Sequence, residues 1–295
     1  MSEGFRSFMN KKKKIIIFLS ILVISFQISV YPAWADSDVP EISAEAAVVM
    51  DLHTGEILYQ KSAFEKRPPA SLTKVMTAYL ALKLGDLQET ALISPYAAAT
   101  GESTLNLKAG EKITLENLLY GALLRSANDS CVAIAELIAG DEERFIEMMN
   151  LQGKVLGCKN TQFCNTNGLP DAAHYSSAYD LALITRAAMQ EEKFRYIVRQ
   201  KEKIIAWESE RRQKVNNTNR LLAEYPGAIG VKTGTTNAAG QCLIAAATSE
   251  AREVVVVVLK SKNRFADGKI LLDYGLKQKD VETGGNYANL EISNY

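Results

Sequence analysis

Apolar residues recur along the chain with two different periods, and the change between them lays out its elements. Between residues 71 and 84, Leu72, Val75, Met76, Tyr79 and Leu82 recur at helical spacing and predict a helix with one apolar face. Pro68 and Pro69 fix its entry and Gly85 is placed to end it. Helical spans are also predicted at 114–124, about 129–138 and 141–156. Another opens on Ser177-Ala-Tyr-Asp180, which reads as a capping box, and runs to about Gln190. Elsewhere the period is two. "AAVVMDLHTGEILYQK" predicts two strands around a turn at His53-Thr54-Gly55. "AIGVKTGT", "CLIAAATS" and "EVVVVVLK" predict an antiparallel meander whose valine run, 254–258, implies a strand buried on both faces. A last helix is predicted at about 267–274, ended by Gly275. These elements predict one α/β unit, an antiparallel sheet flanked by helices, with strands from both ends of the chain.

The start of the chain has a different character. Lys11 to Lys14 precede an apolar stretch from Ile15 to about Val30 and then Ala33-Trp34-Ala35, the order of a secretory signal peptide. The stretch is short for a membrane span, so cleavage before Asp36 is expected. The expected partition is a signal peptide at 1–35, a single domain at 36–276 and a polar tail at 277–295. Export places the protein in the cell envelope or outside the cell, at the outer side of the cytoplasmic membrane. The whole chain has 34 basic and 34 acidic residues; without the leader's five basic groups and one acidic group, 29 and 33 remain, a net charge of −4. That balance does not point to a nucleic-acid partner. The four cysteines, Cys131, Cys158, Cys164 and Cys242, include no C-x-x-C pair, and with only His53 and His174 available no metal site is expected. Cys131 and Cys242 read as core residues, whereas a Cys158–Cys164 disulfide is left open.

The candidate chemistry begins at Ser71 and Lys74. Residues three apart share a helix face, so the two side chains can meet. A serine hydroxyl needs a base to act as a nucleophile, and a lysine amine can serve once its pKa falls toward neutrality through burial or a second cation. Taken alone, the pair reads better as a capping serine beside a solvated lysine, and the isolated match is weak. Two further motifs change that balance: Ser126-Ala127-Asn128, in a break between two helices, and Lys232-Thr233-Gly234, on the first strand of the meander. S-x-x-K, S-x-N and K-T-G in this order are the motif set of penicillin-binding proteins and related β-lactamases.

With "PPASLTKVMTA", "LLRSANDSCVAIAE", "NTNGLPDAAHYSSAYDLA" and "GVKTGTTNAAGQCLIAAA", the chain closely resembles the D-alanyl-D-alanine carboxypeptidase family of low-molecular-mass penicillin-binding proteins, from about Glu41 to Leu276. The resemblance implies a β-lactamase/transpeptidase-like fold, no cofactor, and removal of the terminal D-alanine from peptidoglycan stem peptides through an acyl-enzyme that penicillin also forms. It implies Ser71 as nucleophile, Lys74 as its base and Ser126 as a proton relay to the leaving D-alanine. Asn128 would hold the substrate backbone and Lys74. Lys232 and Thr233 would bind the terminal carboxylate, with the Lys232 charge helping to keep Lys74 neutral. Gly234 would leave room for a substrate along the strand edge. The backbone N–H groups of Ser71 and Thr235 would form the oxyanion hole, and Arg264 would assist carboxylate binding, a solvated surface arginine being the alternative. His174 reads as a loop-positioning residue and His53 as part of a turn.

One departure concerns the C-terminus. The family usually carries a β-rich C-terminal domain and an amphipathic membrane helix, whereas only 19 residues, Lys277 to Tyr295, follow Leu276 here. The domain is therefore expected to be absent and membrane association is left open. Two other readings keep the pocket. A slow-turnover sensor of peptidoglycan or β-lactams would bind without efficient release. A class A β-lactamase would need a deacylating glutamate, typically in E-x-x-L-N, and none lies between Asn128 and Lys232.

Overall fold

The computed structural model describes residues 39–277 except Ala251. The expected signal peptide, and the tail beyond Lys277, lie outside the described residues.

A five-stranded antiparallel sheet takes strands from both ends of the sequence. β1 (Ala46–Asp51) and β2 (Ile57–Lys61) form a hairpin, and β7 (Ala228–Thr236), β8 (Gly240–Thr248) and β9 (Glu253–Ser261) form the meander. The order is β2-β1-β9-β8-β7, with β1 pairing along β9 in continuous register from Ala46–Leu259 to Asp51–Val254. The valine run therefore lies on an interior strand. Val254, Val256 and Val258 face one apolar layer and Val255 and Val257 the other, as the period of two requires.

The first layer is closed by the C-terminal helix, Arg264–Lys277, through Leu271 and Leu272. This helix continues through Gly275 rather than ending there. A Cβ at Gly275 would lie 2.6 Å from Val49 Cγ1, so the glycine permits close approach of helix and sheet instead of terminating the helix.

The second layer is the larger, helical one. Its centre is α1 (Lys74–Leu84), entered through a 3₁₀ turn, Ala70–Thr73. Around it stand α3 (Leu115–Tyr120), which runs into a π-helical turn at Gly121–Arg125, α4 (Asn128–Ala139), α5 (Glu142–Val155), α6 (Ala178–Ala188) and α7 (Glu192–Val198). The remaining elements are short: β3 (Thr90–Leu92), α2 (Pro95–Ala99), β4 (Lys112–Thr114), β5 (Glu202–Ala206), β6 (Arg212–Asn216) and α8 (Leu221–Glu224). α1 does not show the single apolar face that its spacing predicts. Residues Lys74 to Ala81 are all buried, because other helices cover it on every side. Ser177 caps α6 as expected, accepting from the Asp180 N–H at 3.1 Å, but the Asp180 carboxylate does not complete a capping box. It accepts instead from the Asn160 N–H and the Thr161 hydroxyl, pinning the preceding loop. All four cysteines are free thiols, so Cys158 and Cys164 are not joined.

Candidate active site

The site forms where the 3₁₀ turn before α1, the π-helical turn before α4 and the edge strand β7 meet. Ser71 stands in the turn entering α1, at a helix N-terminus where free N–H groups favour negative charge. Lys74 Nζ lies 3.0 Å from Ser71 Oγ, 2.7 Å from Asn128 Oδ1 and 2.5 Å from the Asn167 carbonyl oxygen. A neutral amine has two N–H groups and one lone pair. With the N–H groups given to the Asn128 and Asn167 oxygens, the lone pair is left for the Ser71 hydroxyl proton.

Lys74 is fully buried, and burial brings its pKa from the ordinary 10.5 to about 8. The negative groups at Glu102 and Asp129 oppose that fall. At pH 7 about a tenth of the molecules would then hold the amine neutral, against on the order of one in 3000 for an ordinary lysine. Lys232 is buried as well, and its pKa also lies well below the ordinary lysine range, through burial first and the Lys74 charge second.

Lys232 is buried on β7, with Nζ donating to Ser126 Oγ at 3.0 Å and to the Thr233 carbonyl oxygen at 2.8 Å. Ser126 ends the π-helical turn in left-handed backbone, φ 67°, which ends the helical path and separates it from α4. Asn128 opens α4; its Nδ2 donates to the Gly101 carbonyl oxygen and its backbone N–H to that of Ser103, tying the loop 101–107 to the site. Asp129 extends the tie by accepting from the backbone N–H groups of Leu105 and Leu107. Glu102, on this loop, opens an E-x-x-L-N pattern, but upstream of Ser126 rather than between the second and third motifs.

Gly234 also meets a packing constraint. A Cβ there would meet Ser71 N at 3.0 Å and Ala70 Cβ at 3.1 Å, so the glycine lets β7 close against the nucleophile's turn. Thr233 Oγ1 lies 2.6 Å from Thr218 Oγ1. Thr235 is exposed, and Arg264 donates to its hydroxyl at 2.7 Å and to the Gly234 carbonyl oxygen at 2.8 Å. Arg264 is thus a brace on the end of β7 rather than a solvated surface arginine. His174 holds the loop 164–174 to the nucleophile's helix. Its Nδ1 accepts from the Cys164 N–H, so Nε2 carries the proton and donates to Thr73 Oγ1 at 2.8 Å, while Thr73 donates to the Ala70 carbonyl oxygen. His53 lies in the β1–β2 turn.

The structure therefore brings Ser71, Lys74 and Asn128 into one hydrogen-bonded group and Ser126 and Lys232 into a second, with Thr233, Gly234 and Thr235 along β7 and Arg264 reaching that strand from the C-terminal helix. Sequence reasoning missed Asn167 and Thr218. Asn167 acts through a backbone oxygen, which any residue type supplies, and an isolated Thr218 carries no motif.

Residues 34–263 match the family described as D-alanyl-D-alanine carboxypeptidase. The chain belongs to that family. It is 35% identical to the D-alanyl-D-alanine carboxypeptidase DacF of Bacillus subtilis over 275 residues, covering 90% of this chain and 71% of that one. Among solved structures it is similar to a mutant of a Streptomyces DD-transpeptidase, with TM-score 0.75, 34% identity and coverage of 80% of this chain and 98% of that one. It is likewise similar to the D-alanyl-D-alanine carboxypeptidase DacD of Francisella tularensis, with TM-score 0.78, 30% identity and coverage of 85% and 74%. The sheet-and-helix architecture is therefore the transpeptidase-like fold expected from the sequence.

Proposed function

We propose that the protein is a serine D-Ala-D-Ala carboxypeptidase, exported to act on the stem peptides of peptidoglycan and acylated by β-lactams. The observation that carries this reading is Lys74, buried, shifted to about 8 and 3.0 Å from Ser71 Oγ with its other partners both acceptors. In this reading the substrate lies along the open edge of β7, its terminal carboxylate at Lys232 and Thr233 and its scissile carbonyl at the N–H groups of Ser71 and Thr235. The arriving carboxylate keeps a proton on Lys232, which leaves Lys74 the neutral member of the pair. Ser71 Oγ attacks the carbonyl as Lys74 takes its proton. The proton reaches the departing D-alanine nitrogen through Ser126, which Lys232 orients, and water then releases the acyl group from Ser71. Asn128 orients Lys74 and the substrate backbone, and Arg264 stiffens the strand beside the oxyanion.

The test is release of D-alanine from diacetyl-Lys-D-Ala-D-Ala by residues 36–295, beside Ser71→Ala. Release by the parent and none by the variant is expected. A stable penicillin adduct at Ser71 without D-alanine release would replace this reading with a sensor. Rapid steady-state hydrolysis of benzylpenicillin would replace it with a β-lactamase.

A further inference from the structure

A cavity of about 490 Å³ adjoins the site on the side away from Lys232. Its walls come from three segments: Lys66 to Ala70 ahead of the nucleophile, the loop 168–175, and Thr236 and Ala238 past the end of β7. The walls are held before any ligand arrives. Gly168, at φ +86°, packs so tightly that a Cβ would lie 1.9 Å from the Ala70 carbonyl oxygen, and His174 ties the same loop to Thr73. Pro68, Pro69 and Leu169 supply apolar wall, and three charged side chains, Lys66, Arg67 and Asp171, also line the cavity.

Two of them, Lys66 and Asp171, of opposite sign, have no ionic partner among the described residues. Lys66 Nζ sits 4.5 Å over the Tyr175 ring and 3.4 Å from its hydroxyl, and no carboxylate lies within ion-pair reach. Asp171 accepts from the Ala173 N–H and faces no cation at that range. Arg67, by contrast, is already paired with Glu45 and Glu65, and buried His174 is neutral.

Direction along the strand then identifies the occupant, an argument that rests on the carboxypeptidase reading. A peptide pairing antiparallel to β7 with its carboxylate at Lys232–Thr233 and its reacting carbonyl at Thr235 runs toward Thr236–Ala238 as it is followed back to its N-terminus. At about 3.3 Å per residue, the residue before D-Ala-D-Ala reaches the cavity mouth. We propose that this cavity is a subsite for the side chain of that preceding stem-peptide residue, and that it selects a zwitterionic end, with Lys66 taking the carboxylate and Asp171 the ammonium.

The experiment uses three acetylated tripeptides ending in D-Ala-D-Ala, whose first side chain is acetyl-lysyl, lysyl or diaminopimelyl. D-alanine release gives kcat/KM, and calorimetric binding to Ser71→Ala gives affinity without turnover. The zwitterionic peptide is expected to exceed the acetyl-lysyl one by about tenfold in both, two partly exposed charged contacts being worth that much. Lys66→Gln and Asp171→Asn should each cut this ratio, with penicillin acylation of Ser71 verifying that the variants are folded. Equal values for the three peptides, or a preference that survives both substitutions, overturns the subsite. If no peptide is turned over the carboxypeptidase reading fails, and the binding series on Ser71→Ala still decides the subsite.

Discussion

Lys74 shows how one side chain acquires its chemistry from its surroundings. The S-x-x-K spacing places it beside Ser71, but spacing alone gives a lysine that is charged at neutral pH. Full burial and two carbonyl acceptors supply what is missing. The sign of the resulting pH dependence follows. Only the neutral amine accepts the Ser71 proton, so acylation by benzylpenicillin should rise about tenfold per pH unit below about 8 and level off above it. A rate flat from pH 6 to 9 would remove Lys74 as the base. Lys74→Ala should still fold and should acylate at least about a hundredfold more slowly, the usual contribution of a positioned base.

At the scale of elements, the decisive relation is between β7 and the 3₁₀ turn. An edge strand with a K-T-G sequence can bind an extended peptide anywhere its edge is open. It becomes half of a catalytic site here because Gly234 lets the strand close on the Ser71 backbone. Gly234→Ala should therefore slow penicillin acylation by about tenfold or more, since small misplacements of reacting groups are costly, with an overpacking loss of about 1–3 kcal/mol in urea unfolding. Unchanged acylation in a folded variant would show that this approach does not set the nucleophile's position. The same relation could not be read from the motif, which gives an equally good account of Gly234 as room for substrate.

For the whole molecule, His174 links the site to global stability. It joins the loop 164–174 to the nucleophile's helix as a neutral, buried imidazole, and burial lowers its pKa from 6.5 to about 4. The unfolded chain takes up a proton near pH 6.5 that the folded chain refuses until about pH 4. Stability is therefore full above pH 6.5 and falls as the pH drops toward 4, by up to about 3 kcal/mol. Urea unfolding at pH 7 and pH 4.5 should show this loss in the parent and a clearly smaller loss in His174→Asn. An equal loss in both would place the acid sensitivity elsewhere.

Periodicity in the sequence determined the hairpin at β1–β2, the three-stranded meander, the valine strand buried on both faces and most of the long helices, because each is a local repeat that side-chain polarity records. Residue type and order likewise singled out Ser71, Lys74, Ser126, Asn128 and Lys232, whose functional groups are themselves the signal. Tertiary structure alone decided that α1 is buried all round and that the C-terminal helix runs through Gly275, since both depend on neighbours from distant segments. It also decided the Asn167 carbonyl, the Thr218 hydroxyl and the cavity between Lys66 and Asp171. Each depends on packing between segments remote in sequence, and a backbone oxygen or a cavity wall requires no particular residue type that a sequence pattern could reveal.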